Sequence, residues 1–496
     1  MKRNLLTVAL LCPFFLFSLS ANSQTQAVLS LDKAIKIATD SSLTAFKAKN
    51  LYLSGYWQYR TFKAGRLPSV TLGASPFGYC RNIVKRYDSQ NNVDVYKSQQ
   101  NLNSSASITL SQNVDLTGGT FFVDSYLSYI QNYGVSQYKQ YSSVPFRLGY
   151  SQSLFGFNSF KWDKRIEPLR YERVKKELTY NLETISEQTA QYFFDLALNQ
   201  AIHHLSKQNL ANNDTLYRIG QERYKVGSIS QPDLLTLKLN LINSQNELRD
   251  AEISHKSSTF KLTAYLHIDK GSRFELELPS KPLTIFIPVD QALKKAKENN
   301  PTYLVQKENV LTAQKAYEKA QKENRFSASM SASIGFNQIA NSLPDTYKRL
   351  LRQDVVSVSL TVPILDWGVS KGKVNTARSD MNVSKISAKE TEQSLEQEVL
   401  LAVEEFNDRQ SRIGSEEEAK QIAQQAYEKT RQLFLIGKTN VDAINQAQSR
   451  QIEAEINYVT SLKNYWLCYY KIRRLTLYDF ATDTTISTQY EQAEEF

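Results

Sequence analysis

Two long segments of the chain carry apolar side chains at helical spacing. In the first, alternating steps of four and three residues separate Leu178, Leu182, Ile185, Thr189, Tyr192 and Leu196. This is coiled-coil spacing, and it predicts a helix over residues 159–225 that is about 100 Å long at 1.5 Å per residue. The second segment, residues 369–436, is equally long and is interrupted only by Gly372 and Gly414. Helices of this length predict a rod.

Alternation with a period of two marks the strands of the second half of the chain. Serine or glycine alternates with Ala328, Met330, Ala332, Ile334 and Phe336, and serine or threonine alternates with Val356, Val358, Leu360 and Val362. The pattern predicts strands at 326–337 and 354–365, each about ten residues, which is the length that a tilted strand needs to cross a bilayer. In a soluble sandwich the same apolar face would form a core, so that alternative stays open here.

The first half of the chain has strand patterns at the equivalent places, residues 70–79 and 146–155. Between them, residues 81–143 form an insertion that predicts an additional hairpin. Its strands would be residues 106–110 and 121–130, joined by the turn Thr117-Gly118-Gly119-Thr120. The pattern does not decide whether this hairpin joins the other strands or stands outside them.

The chain repeats itself. Leu31-Asp32-Lys33-Ala34-Ile35 resembles Val289-Asp290-Gln291-Ala292-Leu293, and these segments are 258 positions apart. Ser153-Leu154-Phe155-Gly156-Phe157 resembles Pro363-Ile364-Leu365-Asp366-Trp367, and Tyr224-Lys225-Val226-Gly227 resembles Phe434-Leu435-Ile436-Gly437, both at a separation of 210. The same signals in the same order indicate a duplicated unit with 48 more residues in its first copy. Two copies are too few for a solenoid and favour a symmetric assembly.

Glycine turns end the long helices. Gly227 and Gly437 stand where a helix C-terminus needs a left-handed residue, which predicts turns at 226–232 and 437–441. Return helices are predicted at 233–268 and 442–477, antiparallel to the long helices because the turns are short. The first repeat then spans 24–270. The second spans 271–478, with a linker at 271–288 and a helix at 289–324, and a tail follows at 479–496.

The amino terminus has the pattern of a secretory signal. Lys2 and Arg3 precede an apolar run from Leu5 to Leu19, and Ala21 to Ser23 offers a cleavage site, so residues 1–23 are predicted to be removed on export. A transmembrane anchor is the alternative, but the run is short for a span of about 20 residues. A lipid attached at Cys12 is disfavoured, because more apolar sequence follows it.

Composition and candidate chemistry exclude several function classes. The net charge of +10 is spread along the chain, which argues against nucleic-acid binding. Cys80 and Cys468 form no disulfide framework. No metal site is expected, because His203, His204, His255 and His267 lack ligand spacing. With no phosphate loop or nucleophile elbow in view, we expect no cofactor, no catalytic residue and no enzyme activity.

Taken together, these features resemble the TolC-like outer-membrane efflux and secretion channels (outer membrane factors). The resemblance covers residues 29–478 and rests on the glycine turns, on the junctions Phe155-Gly156 and Leu365-Asp366-Trp367-Gly368, and on their order. It implies a mixed α and β membrane protein. In that fold the duplicated unit of long antiparallel coiled-coil helices and β-strands builds a trimeric outer-membrane β-barrel and a periplasmic α-helical tunnel. Each chain would supply four strands.

The resemblance also implies partners and site residues. The implied partners are two further copies in a homotrimer, outer-membrane lipid, a periplasmic membrane-fusion adaptor, and an inner-membrane pump or ABC exporter. The glycine turns would form the periplasmic tip, where the adaptor docks on Arg223, Tyr224, Val226, Gly227, Phe434, Gly437 and Lys438. Asp233, Asp442 and Asn445 would line the tunnel aperture, with Arg223, Lys225 and Lys438 as partners of the carboxylates. The alternative is that Asp233 and Asp442 only cap the helices that follow.

Two functions remain in contention at this stage. The first is a passive conduit in the outer membrane of a Gram-negative bacterium that extends into the periplasm and carries small molecules or proteins. The second is a periplasmic coiled-coil structural or interaction protein with a soluble β cap. The sequence does not identify the cargo, the adaptor and pump, or the resting state of the aperture.

Overall fold

The computed structural model describes residues 27–133, 137–268, 274–279 and 285–486. The predicted signal at 1–23, parts of the linker at 271–288 and the end of the tail at 479–496 lie outside these ranges. The described chain combines a layer of long helices with one large sheet, and two short strand pairs accompany them.

The helices form two sets that mirror the duplication. The long helices each contain 67 residues and each is followed by a return helix of 36 residues. The bounds are α1 Leu31–Ser41, α2 Leu43–Ala64, α3 Ser159–Lys225, α4 Gln231–Leu266, α5 Val289–Asn299, α6 Pro301–Glu323, α7 Val369–Leu435 and α8 Val441–Thr476. Near the tip the order of packing is α4, α3, α8, α7; nearer the sheet it is α2, α3, α6, α7.

The single helix expected at 289–324 is divided into α5 and α6. Asn300 is extended between them, and its side-chain oxygen accepts a hydrogen bond from the Thr302 amide at 2.9 Å. Pro301 then occupies the first position of α6, where its missing amide hydrogen costs nothing. In the first repeat, Ser42 makes the equivalent break between α1 and α2 and caps α2 through the amide of Ala45.

The large sheet has six antiparallel strands in the order β2-β3-β4-β5-β7-β8. Their bounds are β2 Ser69–Asp88, β3 Val93–Val114, β4 Gly119–Asn132, β5 Tyr138–Ser153, β7 Ser327–Ala340 and β8 Leu351–Thr361. The short strands β1 Ala27–Ser30 and β6 Phe274–Glu277 pair in parallel, and β9 Tyr478–Asp479 pairs with β10 Thr484–Thr485. The described residues of one chain form no closed barrel, because β2 and β8 are separate edges of the sheet.

The inserted segment is part of this sheet. β3 and β4 lie between β2 and β5, so the additional hairpin predicted at 81–143 joins the sheet, and its predicted boundaries do not coincide with the ends of these strands. The resemblance implied four strands per chain, whereas the sheet has six. The strands predicted at 106–110 and 121–130 are shorter than the observed β3 and β4. Strand pairing continues beyond the apolar alternation through polar and aromatic residues.

The main core lies at the middle of the helices, away from the sheet. It joins α1, α5, the central parts of α3 and α7 and the C-terminal parts of α4 and α8. Its largest fully buried side chains include Phe193, Phe194, Phe406 and Tyr465. A smaller apolar cluster lies at the far end of the long helices. In the described part of the chain, no helix combines the length and apolar character required to cross a membrane.

Candidate functional site: the tip of the long helices

The two turns at the tip have the same backbone geometry. Gly227 has φ 72° and Gly437 has φ 77°, values that favour glycine. The Ser228 amide donates to the Arg223 carbonyl oxygen at 2.8 Å, and the Lys438 amide donates to the Leu433 carbonyl oxygen at 2.9 Å. These are Schellman bonds, which satisfy carbonyl groups that a helix end leaves unpaired.

Asp233 caps the helix that follows the first turn. Its carboxylate accepts hydrogen bonds from the Ser230 amide at 3.1 Å and from the Ser230 hydroxyl at 2.6 Å, while the Asp233 amide donates to that hydroxyl oxygen at 3.3 Å. This reciprocal pair is a capping box. Asp233 is half-buried and already engaged, so any role at an aperture would be additional to capping.

Asp442 is not the structural counterpart of Asp233. Both turns have equal length, since α4 starts at Gln231 and α8 at Val441. Asp442 is the second residue of its helix and is exposed, whereas the cap of α8 is Asn440, which accepts from the Ala443 amide at 2.9 Å. Asp442 follows Gly437 by five positions and Asp233 follows Gly227 by six, because the two carboxylates occupy different helix positions and not because one turn is shorter.

Arg223 joins the two turns. Its guanidinium donates to the carbonyl oxygen of Phe434 at 2.8 Å and to that of Leu435 at 3.1 Å. It also lies over the Phe434 ring, 5.0 Å from the centroid. Arg223 thus contacts the second turn rather than Asp233, and Lys225 pairs with Glu222 at 2.8 Å. The structure does not bring these bases to the carboxylates that the sequence suggested.

The tip residues divide into a buried set and an exposed set. Phe434 is 1% exposed and packs in a cluster with Leu216, Leu237, Tyr427, Val441 and Ile444, which come from all four helices of the tip. Val226, by contrast, is 75% exposed, and Tyr224 and Lys438 are exposed beside it. The cluster holds the two hairpins together, and the exposed set is what a partner would meet.

Above the tip, α3, α4 and α8 line an open groove that is rich in amide side chains. The sequence analysis did not predict this groove. The groove has a volume of about 750 Å³, and it includes the hydrogen bond from the Asn240 amide to the Asn445 side-chain oxygen at 3.1 Å. Its amides recur at steps of three and four residues on three facing helices, which is the signal that could have revealed them. Six of them are Asn209, Asn213, Asn240, Asn243, Asn445 and Gln448.

Neither the groove nor the tip carries the elements of a metal centre. Within residues 27–133, 137–268, 274–279 and 285–486, no three His, Cys, Asp or Glu side chains are grouped so as to hold an ion. Cys80 is exposed and Cys468 is buried, and both are free thiols. The site consists of a groove with a polar lining and of an exposed tip surface.

The fold of the chain is similar to that of outer-membrane channels. Residues 292–467 match the family described as outer membrane efflux protein. The CmeC outer membrane channel of Campylobacter jejuni is similar at 14% identity, with 94% of this chain and 89% of that chain covered and a TM-score of 0.67. A membrane protein from Pseudomonas aeruginosa has 14% identity, coverage of 90% and 90%, and a TM-score of 0.64.

A further solved structure extends the comparison. The outer membrane protein VceC of Vibrio cholerae has 16% identity, coverage of 90% of this chain and 95% of that chain, and a TM-score of 0.60. No curated protein matches the chain. The resemblance to TolC-like channels and the mixed helix-and-sheet fold class are confirmed, and the chain has the fold of an outer-membrane efflux channel.

Proposed function

We propose that the protein is the outer-membrane channel of a tripartite export system. Three copies form a passive conduit that crosses the outer membrane of a Gram-negative bacterium and extends through the periplasm. The observation that supports this proposal is that the described part of the chain has an open helical edge and an open sheet edge on each side.

The helical edges carry apolar side chains that only neighbouring copies would cover. On one edge, α4 exposes Leu235, Leu239, Ile242 and Ile253; on the other edge, α7 exposes Val383, Ile386, Leu401 and Ile422. Leu239 is 56% exposed and Ile386 is 60% exposed. Full burial of such a side chain is worth about 1.5–3 kcal/mol, so pairing the two edges would strongly stabilise a ring.

The two edges of the sheet also require neighbouring copies. β2 and β8 each have one neighbour only within the described residues. In lipid, unpaired backbone groups cost several kcal/mol each, and closing the sheet through further copies removes those edges. A ring of copies would therefore bury the apolar side chains at the helical edges and also pair the edge strands.

The tip supports the remaining parts of the proposal. Tyr224, Val226 and Lys438, with Gly227 and Gly437 between them, form the exposed end on which a periplasmic membrane-fusion adaptor would dock. An inner-membrane pump or ABC exporter would then supply the cargo. Asp442, Asn445 and Asp233 would line the aperture, where rings of carboxylates favour cations. Arg223 would stabilise this closed end by joining the two turns.

Membrane fractionation followed by mass measurement of the extracted protein tests the proposal. We expect the full-length chain, after export, to sediment with the outer membrane and to be extracted in detergent as a species of three copies. A protein recovered from the periplasm in water-soluble form, whatever its copy number, would contradict the conduit and support a coiled-coil rod with a soluble β cap.

A further inference from the structure

We propose that each copy supplies six strands to the membrane wall, and that β8 of one copy pairs with β2 of the next. The inference deepens the proposed function and rests on it for the presence of three copies. It makes the inserted segment β3–β4 a part of the conduit wall, which then contains eighteen strands from three copies of a six-stranded sheet.

The lower turn of the inserted segment is fixed to the helices. Asp115, at the turn between β3 and β4, forms an ion pair with Arg66, which follows α2. The Asn158 side chain, which caps α3, donates to the Asp115 carbonyl oxygen at 2.9 Å. The Gln112 side chain donates to the Arg66 carbonyl oxygen at 2.9 Å. The turn is therefore held at the junction with the helices, where the other strands also start or end.

The inserted strands run the height of the neighbouring strands. β3 pairs with β2 from Ser111 at the helix end to Val93 at the far end, and β4 pairs with β5 from Thr120 to Asn132. At the helix end, Ser153 of β5 pairs with Ser329 of β7. A hairpin outside the wall would leave β2 to pair directly with β5, whereas two complete strands, β3 and β4, separate them.

One face of the sheet is apolar across all six strands. The register places the apolar positions of the inserted strands in line with those of the flanking strands. On β3 they are Leu102, Ala106, Ile108 and Leu110; on β4 they are Phe121, Val123, Leu127 and Tyr129; on β7 they are Ala328, Met330, Ala332, Ile334 and Phe336. The apolar band thus continues through the insertion, as a lipid-facing surface requires.

On β3 and β7 the opposite face is small and polar, whereas on β4 it also carries Phe122, Tyr126 and Ile130. On β3 it carries Ser105, Ser107, Thr109 and Ser111, and on β7 it carries Ser327, Ser329, Ser331 and Ser333. Between them, Arg147 of β5 binds Asp124 of β4 through two hydrogen bonds at 2.9 and 2.8 Å. A charged pair belongs on the water-filled side of a membrane wall, which assigns this face to the lumen.

The stagger of the sheet fits closure with six strands per copy. Followed from strand to strand, the register leads from Ser69 to Ser111, Phe122, Gly149, Ser333 and Val355. Thr361, which ends β8 at the helix side, lies six positions beyond Val355. If Ser69 of the next copy lies opposite Thr361, the stagger is six residues per six strands.

This stagger sets the tilt of the strands and the diameter of the barrel. With about 3.3 Å per residue and about 4.8 Å between strands, it tilts the strands by about 35°, within the range of about 35–45° that closed barrels adopt. The pairing is also antiparallel and keeps the apolar face continuous, because Ser69 and Thr361 both lie on the polar face. Eighteen strands at that tilt and spacing enclose a diameter of about 34 Å between backbones, against about 22 Å for twelve strands.

Thiol accessibility in the intact outer membrane tests the inference. In a Cys80→Ser, Cys468→Ala background, single cysteines are introduced in neighbouring pairs, one on each face. The pairs are Ser107→Cys and Ile108→Cys on β3, Leu127→Cys and Ser128→Cys on β4, and, as the control, Ser333→Cys and Ile334→Cys on β7. A charged, water-soluble maleimide is added from outside.

We expect the serine-derived thiols of all three pairs to react at least tenfold faster than their apolar-face neighbours. Equal reaction within the β3 and β4 pairs, with the β7 pair still distinct, would overturn the six-strand wall and leave the channel in place. Equal reaction within all three pairs would instead contradict the proposed outer-membrane location itself.

A cross-link tests the joint between copies. Oxidation of the Ser69→Cys/Thr361→Cys protein in the same background is expected to yield covalently linked three-copy species on denaturing gels. The Ser69→Cys/Ser357→Cys protein is the matched control, since its second thiol is four residues along the same face. Cross-linking of the control alone would overturn the proposed register, and failure of both would overturn the β8–β2 joint.

Discussion

The Arg223 guanidinium donates a hydrogen bond to the Phe434 carbonyl oxygen at 2.8 Å and covers the ring of the same residue. The two residues come from opposite repeats, so this contact joins the ends of the two helical hairpins. It uses carbonyl groups at the C-terminus of α7, where a cation also complements the helix dipole. In the proposed conduit, the contact would hold the two hairpins of the tip together.

Replacing Arg223 should therefore loosen the tip. In Arg223→Ala we expect loss of about 1.5–3 kcal/mol of local stability, the range for hydrogen bonds to a charged group. Hydrogen exchange of the amides in the two turns should speed up by a factor of about 10–100 at the tip alone. Lys225→Ala is the control, because its exposed pair with Glu222 contributes little. Unchanged exchange in Arg223→Ala would contradict the contact's role.

The two aspartates should differ in their effect on stability. Asp233→Ala removes a capping box and should cost about 1 kcal/mol. Asp442→Ala removes an exposed carboxylate near a helix N-terminus and should cost about 0.3–1 kcal/mol. Thermal unfolding followed by circular dichroism measures both. A larger loss from Asp442→Ala would show that the cap assignment is wrong.

If both carboxylates also line the aperture, ion selectivity should depend on their number. We expect Asp442→Asn to lower the preference for cations in planar bilayers, and Asp233→Asn with Asp442→Asn to lower it further and to raise the conductance. Asp408→Asn on α7, where the carboxylate pairs with Arg412 away from the tip, is the control. Unaltered selectivity in the double variant would reduce Asp233 to a cap and Asp442 to a surface charge.

Gly220 and Gly414 provide a matched pair of helical glycines. A Cβ at Gly220 would lie 2.5 Å from the Leu237 side chain, whereas a Cβ at Gly414 would meet no atom within 4 Å. Alanine favours a helix over glycine by about 1 kcal/mol, so Gly414→Ala should raise the melting temperature. Gly220→Ala should gain less or lose stability, because Leu237 must move. Equal gains in the two variants would contradict close packing of α3 on α4.

A buried ion pair fixes the middle of the helical layer. Glu183 on α3 is 1% exposed, and Arg473 on α8 donates to it at 3.0 and 3.2 Å. Arg473→Met would leave that carboxylate without its partner and should cost about 3–5 kcal/mol. Glu183→Gln added to Arg473→Met should restore part of the loss. Arg412→Met, which removes an exposed pair with Asp408, should cost less than about 1 kcal/mol in the same urea denaturation experiment.

The histidine pair between α3 and α4 predicts a pH dependence. Burial lowers the pKa of His255, and the neighbouring His203, stacked at 5.5 Å, lowers that pKa further. As the pH falls, His255 is therefore protonated in the unfolded chain before it is protonated in the folded chain. The neutral His255 side chain leaves the free energy of unfolding unaffected above about pH 6.5, and below that pH the free energy of unfolding decreases. His255→Gln should flatten the stability profile between about pH 7 and pH 5.

The long helices and the duplication were visible in the sequence because they rest on local rules. The scarcity of glycine and the coiled-coil spacing indicate the helices, and Gly227 and Gly437 indicate where the helices end. Each of these signals depends only on residues that are near each other in the sequence. The break at Asn300 was missed because a capping asparagine followed by proline also occurs at the start of a helix, and the apolar spacing continues through it. The strands of the second repeat were predictable because strict alternation runs through Phe336.

The site was harder to predict because it depends on contacts between repeats. Arg223 and Phe434 are 211 positions apart, and nothing in the local pattern indicates that they meet. Arg223 was predicted to pair with the aperture carboxylates because it is close in sequence to Asp233, and spacing within one turn carries no information about the other turn. Likewise, the position of β3 and β4 in the sheet depends on pairing with β2 and β5, which alternation alone does not specify.

Single-channel recording of the purified protein in planar lipid bilayers tests the central claim most directly. The account predicts that three-copy protein inserts and gives discrete, small, cation-preferring conductance steps, and that Arg223→Ala enlarges them while Lys225→Ala does not. Folded protein that never inserts and gives no conductance, with or without these substitutions, would contradict the conduit.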